Sequence, residues 1–190
     1  LDGYPEPPPS LAAFLAEVER LATGWRWRLR ERSHRLAMVH GDFHPWNILF
    51  RDGTDFALLD RSRGEWGEPA DDVAALTINY LFFALRGGDR FEGPFRSLFH
   101  RFLNRYLAAT GDAEMAEVAP PFYAFRALVL ASPVWYPGIP TGCRRALLGF
   151  AGAALRAERL DWDRVDALVP ARGEPNDGLG DLDHWAAGQW

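Results

Sequence analysis

The sequence predicts one mainly α-helical domain with a small β-hairpin near its start. Long stretches repeat apolar residues with the period of an amphipathic helix, whereas short apolar runs flank Asp52-Gly53, a pair typical of hairpin turns. The 190 residues, of which 48% are hydrophobic and 25% charged, suffice for one core. We expect residues 1–170 to form this domain. Residues 171–190 are predicted to be a tail rich in Gly and Asp, which only Trp185 and Trp190 could anchor.

The first predicted element is a long helix that follows a proline-rich segment. Ser10 is predicted to be its N-cap. Its apolar positions share one face, which should be buried. They are Leu11, Phe14, Leu15, Val18, Leu21, Trp25 and Leu29. After this helix, short apolar runs at 36–39, 48–50 and 56–59 predict strands, and the last two should pair as the hairpin.

Helical patterns then continue for most of the remaining chain. A second helix is predicted from about Pro69 to Arg86, ended by Gly87-Gly88, and it is apolar on almost all sides, which predicts a central position. The further predicted helices are a third through Phe95 and Leu107, a fourth from Pro121 to Ser132, a fifth capped by Thr141, and a short sixth from Trp162 that Pro170 closes.

Composition excludes several classes of partner and location. The net charge of −5 and the pI near 5.5 argue against nucleic acid as a partner, because nucleic-acid-binding domains carry basic patches. The most apolar stretch, 73–85, is too short to cross a bilayer, so no membrane partner is expected. Cys143, the single cysteine, is expected to be inert, and it suits a reducing compartment. With no signal-peptide pattern at the start, we expect a cytoplasmic protein.

The polar side chains that can carry chemistry are concentrated in VHGDFHPWNILF, residues 39–50. A strand leads to a His-Gly-Asp turn with His40 and Asp42, Asn47 opens the next strand, and Asp60 ends the hairpin. Amide and carboxylate oxygens suit Mg²⁺ that is held partly by protein and partly by phosphate. A neighbouring Asp outside the metal shell can accept the proton of an attacking hydroxyl. These are the parts that phosphoryl transfer needs.

The H-G-D-x-x-x-x-N loop, followed by a strand ending in Asp, resembles the aminoglycoside phosphotransferase and choline kinase family. Asn47 lies five residues after Asp42 and Asp60 lies eighteen after it, as in kinase-like folds. The resemblance runs from about residue 10 to 169 and implies the C-terminal lobe of a protein-kinase-like fold. It implies Asp42 as the catalytic base, Asn47 and Asp60 as Mg²⁺ ligands, and His40 as a residue that orients the loop.

Further residues follow from the same resemblance. Asp72 matches an Asp at a helix start that braces the catalytic loop from behind. His44 matches a His common in this loop, with loop packing and a substrate contact as equal alternatives. Three aromatic residues could wall a substrate pocket, although core or surface packing is the alternative for each. They are Trp135, Tyr136 and Trp162.

Two features depart from the family pattern. Arg61 follows the metal-binding Asp where an aromatic residue is frequent, and its charge could weaken Mg²⁺ binding or contact phosphate or an acidic substrate. All 21 basic residues are Arg, so the lysine that grips phosphate in kinase-like enzymes is missing, and the segment before His40 offers one helix instead of a strand-rich lobe. We expect ATP to need an N-terminal lobe, or a partner chain, that this chain does not supply.

Two functions stay open at this stage. The first is the catalytic lobe of a Mg-ATP-dependent phosphotransferase that acts on a hydroxyl of a small molecule, with this chain inactive alone. The alternative is a non-catalytic remnant or interaction module that retains the lobe. A metal-dependent phosphoesterase, suggested by residues 41–44, is excluded because its further His and Asp motifs are missing. Homo-oligomers are possible through a face around Trp46, Phe50 and the start of the first helix.

Overall fold

The computed structural model describes residues 3–61, 65–88 and 90–170, together with Leu179, Leu182 and Trp185. These form a mainly helical domain with two short antiparallel strand pairs, which confirms the predicted fold class. The helices are α1 (Pro9–Arg30), α2 (Pro69–Gly87), α3 (Gly93–Thr110), α4 (Met115–Val118), α5 (Pro120–Ala131) and α6 (Thr141–Arg156). The strands are β1 (Ala37–Met38), β2 (Ile48–Phe50), β3 (Phe56–Leu58) and β4 (Trp66–Gly67). Short 3₁₀ helices cover Ser33–Arg35, Pro45–Asn47 and Trp162–Leu168.

Helix α1 packs its predicted apolar face against α6. Trp25 Nε1 donates to the Leu155 carbonyl over 2.8 Å, and Gly152 allows close approach because a Cβ there would lie 2.9 Å from the ring of Phe14. The predicted N-cap at Ser10 is wrong. The N-cap is Pro8 and the helix begins at Pro9, two residues earlier than predicted, because proline fits the first turn, where its missing N–H would have no helical partner.

Helix α2 lies in the centre of the domain, as predicted. It is buried on almost all sides and packs on α3, α5 and α6. The helix ends at Gly87, as the glycine pair indicates. Its polar Thr77 is satisfied internally, because the hydroxyl donates to the Val73 carbonyl over 2.7 Å and also meets the Tyr123 hydroxyl.

The remaining helices follow the sequence pattern closely, with small differences at their ends. Helices α3, α5 and α6 confirm the third, fourth and fifth predicted helices. Thr141 is the first residue of α6, not its cap, since Pro140 holds the cap position. The short sixth element is a 3₁₀ helix. The four-residue α4 was not predicted, because one turn is too short to show a period.

The hairpin is the predicted one, and it projects apolar side chains outward. Ile48 pairs with Leu58 and Phe50 with Phe56, around a turn in which Gly53 takes a φ of +54°. β1 pairs with β4. Each strand has two residues and the two are far apart in the sequence, so the alternation of apolar and polar residues does not predict this pair. Apolar side chains of these strands are exposed. They include Met38, Leu49, Phe50, Phe56, Leu58 and Trp66.

The described residues near the C-terminus pack onto the domain. Leu179 and Leu182 are fully buried, and Trp185 stacks on Tyr4 with ring centroids 5.9 Å apart. The Trp185 indole also donates to the Pro5 carbonyl over 2.9 Å. Trp190, the other predicted anchor, lies outside the described residues, as does most of the predicted tail. In the described part of the chain, no helix is both long enough and apolar enough to span a membrane.

Candidate active site

The His-Gly-Asp turn places two buried side chains directly after β1. His40 and Asp42 are each 7% exposed, and Gly41 between them has a φ of +85°, which favours glycine over any residue with a Cβ. The Asp42 amide faces His40 Nδ1 at 3.4 Å. The turn therefore directs both side chains into the domain instead of toward solvent.

Asp72 joins the first turn of α2 to this loop. Its Oδ2 accepts from the His40 amide over 2.6 Å, and its Oδ1 accepts from the Gly41 amide over 2.9 Å. Both carboxylate oxygens are thus used on consecutive backbone amides, a charge-assisted arrangement that is stronger than neutral hydrogen bonds. The loop conformation is tied in this way to the central helix.

The start of α2 is in turn held by a buried ion-pair cluster. Glu68 accepts from the Ala70 amide as N-cap and from the Arg35 guanidinium at 2.7 and 2.9 Å. Arg35 also donates to both Asp112 oxygens, at 2.6 and 2.8 Å. The hydrogen bonds that Arg35 donates to Asp112 and Glu68 raise the pKa of its guanidinium, so its charge is permanent. These ion pairs therefore hold together the segment before β1, the start of α2 and the loop that follows α3.

Asn47 and Asp60 meet the loop in different ways. Asn47 is 9% exposed and donates from Nδ2 to the Asp42 carbonyl over 2.9 Å, which leaves Oδ1 as the atom that can face a metal. The Leu59 amide donates to the Asn47 carbonyl over 2.9 Å and so brings the chain beside Asp60 to this point. Asp60 itself is exposed and lies two residues beyond β3. Its φ of +55° is uncommon outside glycine but tolerated by Asp.

The donor set of these two residues fits Mg²⁺. One amide oxygen and one carboxylate are hard ligands, and Mg²⁺ characteristically takes few protein ligands and completes its octahedron with water and phosphate oxygens. Arg61, beside Asp60, donates from Nε to the Val39 carbonyl over 3.3 Å. The Nε atom of Arg61 is therefore already used in a hydrogen bond to the backbone.

Arg126 is a site residue that the sequence analysis missed. It is 8% exposed, and Nη1 donates to Asp42 Oδ1 over 2.8 Å while Nε and Nη2 donate to Asp71 Oδ1 over 3.0 and 2.9 Å. Burial raises the pKa of Asp71, and the Arg126 charge opposes that rise. A signal was present in the sequence: Arg126 is the one charged residue from 118 to 143, and an arginine in an apolar helix needs a partner.

A small cavity lies next to Asp42. His44 Nε2 is 3.6 Å from Asp42 Oδ2, and His44 also lines this cavity of about 50 Å³. Of the three aromatic residues considered for a pocket, Tyr136 lines it. Trp135 is 64% exposed, and Trp162 packs in the core against Tyr123 at a centroid distance of 5.8 Å.

The comparisons with known proteins agree with this arrangement. The sequence profile of the phosphotransferase enzyme family (APH) matches residues 5–121, more than half of the chain. This range starts and ends earlier than the span of about 10–169 expected from the sequence, so Arg126 lies beyond it. No curated protein and no solved structure matches the chain significantly. The family match, with the loop, hairpin and central helix inside it, shows that this chain belongs to the phosphotransferase enzyme family.

Proposed function

We propose that this chain is the catalytic lobe of a Mg-ATP-dependent phosphotransferase that acts on a hydroxyl group of a small molecule. The observation that carries the proposal is the buried Asp42, which shares one loop with Asn47 and whose turn is bonded to Asp72 on the central helix. Positioning and charge stabilisation are the main sources of catalysis in phosphoryl transfer, and a loop held in this way suits both.

Asp42 is the proposed general base. Arg126 occupies its Oδ1, so the acceptor hydroxyl would approach Oδ2, on the side of His44. Asp42 takes the proton of that hydroxyl as the oxygen becomes the nucleophile, a role worth about 10²–10⁴-fold in rate. His44 is proposed to contact the acceptor, while His40 and Asp72 keep the loop in shape.

Asn47 and Asp60 are the proposed protein ligands of Mg²⁺. When bound, Mg-ATP supplies the phosphoryl group and the metal neutralises its charge. The Asn47 amide nitrogen stays on the loop backbone, so this side chain can offer its oxygen to the metal without releasing Asp42. The same loop thereby orders the base and one metal ligand.

We also propose that a separate strand-rich lobe, on another segment or a partner chain, completes the ATP-binding site. The chain has no lysine to hold phosphates. The exposed apolar side chains of the two strand pairs, such as Met38, Phe50 and Trp66, offer that lobe a surface to cover. The alternative, a non-catalytic remnant or interaction module, predicts no phosphoryl transfer under any supplementation.

The test is an assay of the purified chain with Mg-ATP and a panel of hydroxyl compounds, with and without a separately expressed strand-rich lobe from the same family. The panel holds choline, ethanolamine, a monosaccharide, an aminoglycoside and a macrolide. We expect no turnover by the chain alone and acceptor-dependent turnover after supplementation. Transfer that fails under every condition would favour the non-catalytic alternative.

Asp42→Asn identifies the base in the same assay. We expect it to lower kcat by about 10²–10⁴-fold with little change in the affinity for ATP. The matched control is Asp55→Asn, at a side chain that is 64% exposed in the hairpin turn. If Asp42→Asn kept more than about a tenth of the kcat, another group would have to be the base.

A further inference from the structure

The turn that follows α5 is built around one buried hydroxyl. Ser132 is 1% exposed, and its Oγ donates to the Gly3 carbonyl over 2.7 Å. The same Oγ accepts from the amides of Val134 and Trp135, over 3.2 and 3.3 Å. The Tyr136 amide donates to the Ser132 carbonyl over 2.9 Å and closes the turn. A serine hydroxyl that bonds to the backbone two and three residues later fixes the shape of a turn.

Arg144, on α6, holds the same turn. It is 0% exposed, and its guanidinium donates to the Ala131 carbonyl at the end of α5 and, over 3.0 Å, to the Tyr136 carbonyl. In the described part of the chain no carboxylate pairs with Arg144, so its printed partners are backbone carbonyls. A cation at the C-terminal end of a helix interacts favourably with the free carbonyls there. Ser132 and Arg144 therefore fix where Tyr136 lies.

Tyr136 connects this turn to the surroundings of the proposed base. Its ring packs edge-on against Phe82 of α2, with centroids 5.6 Å apart. It lines the cavity of about 50 Å³ together with His44 and Arg126, both of which reach the Asp42 carboxylate. Burial, and after it the Asp42 charge, raises the pKa of the Tyr136 hydroxyl, so this hydroxyl stays protonated.

The Tyr136 hydroxyl is available to a ligand. Among the described residues its oxygen has no hydrogen-bond partner, yet the fold does not close it off from water. Two tyrosines of the core use their hydroxyls inside the fold instead. Tyr4 donates to the Leu128 carbonyl over 2.6 Å, and the Tyr123 hydroxyl meets Thr77. A protonated phenol that water can reach can donate to a ligand oxygen.

We propose that Tyr136 positions the phosphoryl acceptor for Asp42. Its hydroxyl donates a hydrogen bond to the acceptor oxygen whose proton moves to Asp42 Oδ2, and the phenol keeps its own proton throughout. Ser132 and Arg144 act through Tyr136, because they set the turn that carries its ring. This inference rests on the proposed function, since it takes the ligand at Asp42 to be the acceptor.

The first test asks whether the phenol lies beside the base, and it uses the purified chain without ATP. Tyrosine labelled with ¹³C at Cζ gives NMR signals from the five tyrosines, and Tyr136→Phe identifies the signal of Tyr136. We expect Asp42→Asn, which removes the carboxylate charge, to shift this signal more than the others. Asp55→Asn, at an exposed side chain, is the matched control and should shift none. A Tyr136 signal that does not move in Asp42→Asn would overturn the proposal.

The second test is steady-state kinetics of the supplemented enzyme with the best acceptor of the panel. Tyr136→Phe keeps the ring against Phe82 and removes only the hydroxyl. We expect kcat/KM to fall about 10-fold, as for the loss of one hydrogen bond. Tyr80→Phe, at a half-buried tyrosine of α2 outside the cavity, is the matched control and should keep kcat/KM. Transfer with an unchanged kcat/KM in Tyr136→Phe would remove this inference and leave the proposed function.

A double-mutant cycle separates positioning by Arg144 from a general effect on the fold. Arg144→Lys keeps the charge but not the planar fork that reaches two carbonyls. We expect it to lower kcat/KM in the wild type and to have little further effect in Tyr136→Phe. Losses that multiply in the double variant would show that Arg144 does not act through Tyr136. If Arg144→Lys does not fold, Ser132→Ala replaces it in the same cycle.

Failure of this inference can be distinguished from failure of the proposed function. No transfer by the wild type under any supplementation would remove the proposed function, and with it the acceptor as the ligand of Tyr136. The Cζ signal needs no transfer, so it reports separately whether Tyr136 lies beside Asp42.

Discussion

Arg126 holds the Asp42 carboxylate from a position on α5 that lies beyond the family match. Its Nη1 donates to Asp42 Oδ1 over 2.8 Å, and both groups are buried. The same guanidinium bridges to Asp71 on α2. One side chain of α5 thus fixes the orientation of the proposed base relative to the central helix. Removing one partner of such a buried pair leaves an uncompensated charge.

Arg126→Met should therefore lower both stability and catalysis. We expect a loss of about 3–5 kcal/mol in the free energy of unfolding. In a preparation competent for transfer, kcat should fall about 10²-fold, because the proposed base is no longer held in place. Arg126→Lys should restore part of the kcat, since it keeps the charge but not the planar fork.

The control for this pair of variants is Arg101→Met, at an exposed position of α3. Denaturant unfolding and steady-state kinetics give the two readouts. An Arg126→Met protein that is less stable but has an unchanged kcat would show that the residue is structural and does not position Asp42.

Magnesium should bind to this chain only weakly when no nucleotide is present. The two proposed ligands, Asn47 and Asp60, would leave the rest of an octahedral shell to water. Calorimetric titration with MgCl₂ should give no saturable heat at micromolar metal. In the supplemented enzyme, Asp60→Asn should raise the Mg²⁺ concentration needed for half-maximal rate. Tight Mg²⁺ binding by the chain alone would contradict the two-ligand assignment.

The Arg35–Asp112 pair should make the free energy of unfolding fall as the pH becomes acidic. Hydrogen bonds from Arg35 hold the pKa of Asp112 below its usual range. A depressed carboxyl pKa contributes stability that is present above the unfolded value of about 3.9 and is lost as the pH falls through the folded value. Asp112→Asn should cost about 1.5–3 kcal/mol at pH 7, and this cost should shrink below pH ~4.

Denaturant unfolding at pH 7 and pH 3 measures this change, with Asp55→Asn as the exposed control. A destabilisation by Asp112→Asn that is the same at both pH values would mean that the carboxylate charge is not what stabilises this junction.

Cys143 should be unreactive in the folded protein. Burial raises the pKa of its thiol to about 11, against about 8.5 for a free cysteine. The thiolate is the reactive form, so an aromatic disulfide reagent at pH 8 should modify Cys143 slowly in the native state and rapidly in denaturant. Fast modification without denaturant would show that α6 opens or that the thiol is more accessible than its burial indicates.

The exposed hairpin should promote self-association at high protein concentration. Phe50 is 63% exposed and its cross-strand partner Phe56 is 52% exposed, with ring centroids 5.9 Å apart. We expect the Phe50→Ser, Phe56→Ser double variant to sediment as a monomer where the wild type does not, with Trp135→Ser as the control. A monomeric wild type at the same concentration would contradict this.

Much of the fold could be predicted because its signals are local. The apolar face of α1, the all-round apolar character of α2 and the Asp52-Gly53 turn each lie within one element, and the structure has all three. The pairing of β1 with β4 was not predicted, because strands of two residues are too short to show an alternating pattern and the two strands are far apart in the sequence. The cap at Ser10 was wrong because the preceding prolines already fit the helix start.

The sequence by itself determined the catalytic-loop motif, because Asp42 and Asn47 lie five residues apart and the backbone between them is a short loop. Only the tertiary structure decided what surrounds that loop. Arg126 is 84 residues from Asp42, and no local pattern pairs them. Asn79 looks like one polar residue in an apolar helix until packing buries its side chain. Contacts of this kind depend on which helices pack together, since burial and charge pairing arise from the folded arrangement and not from the neighbouring sequence.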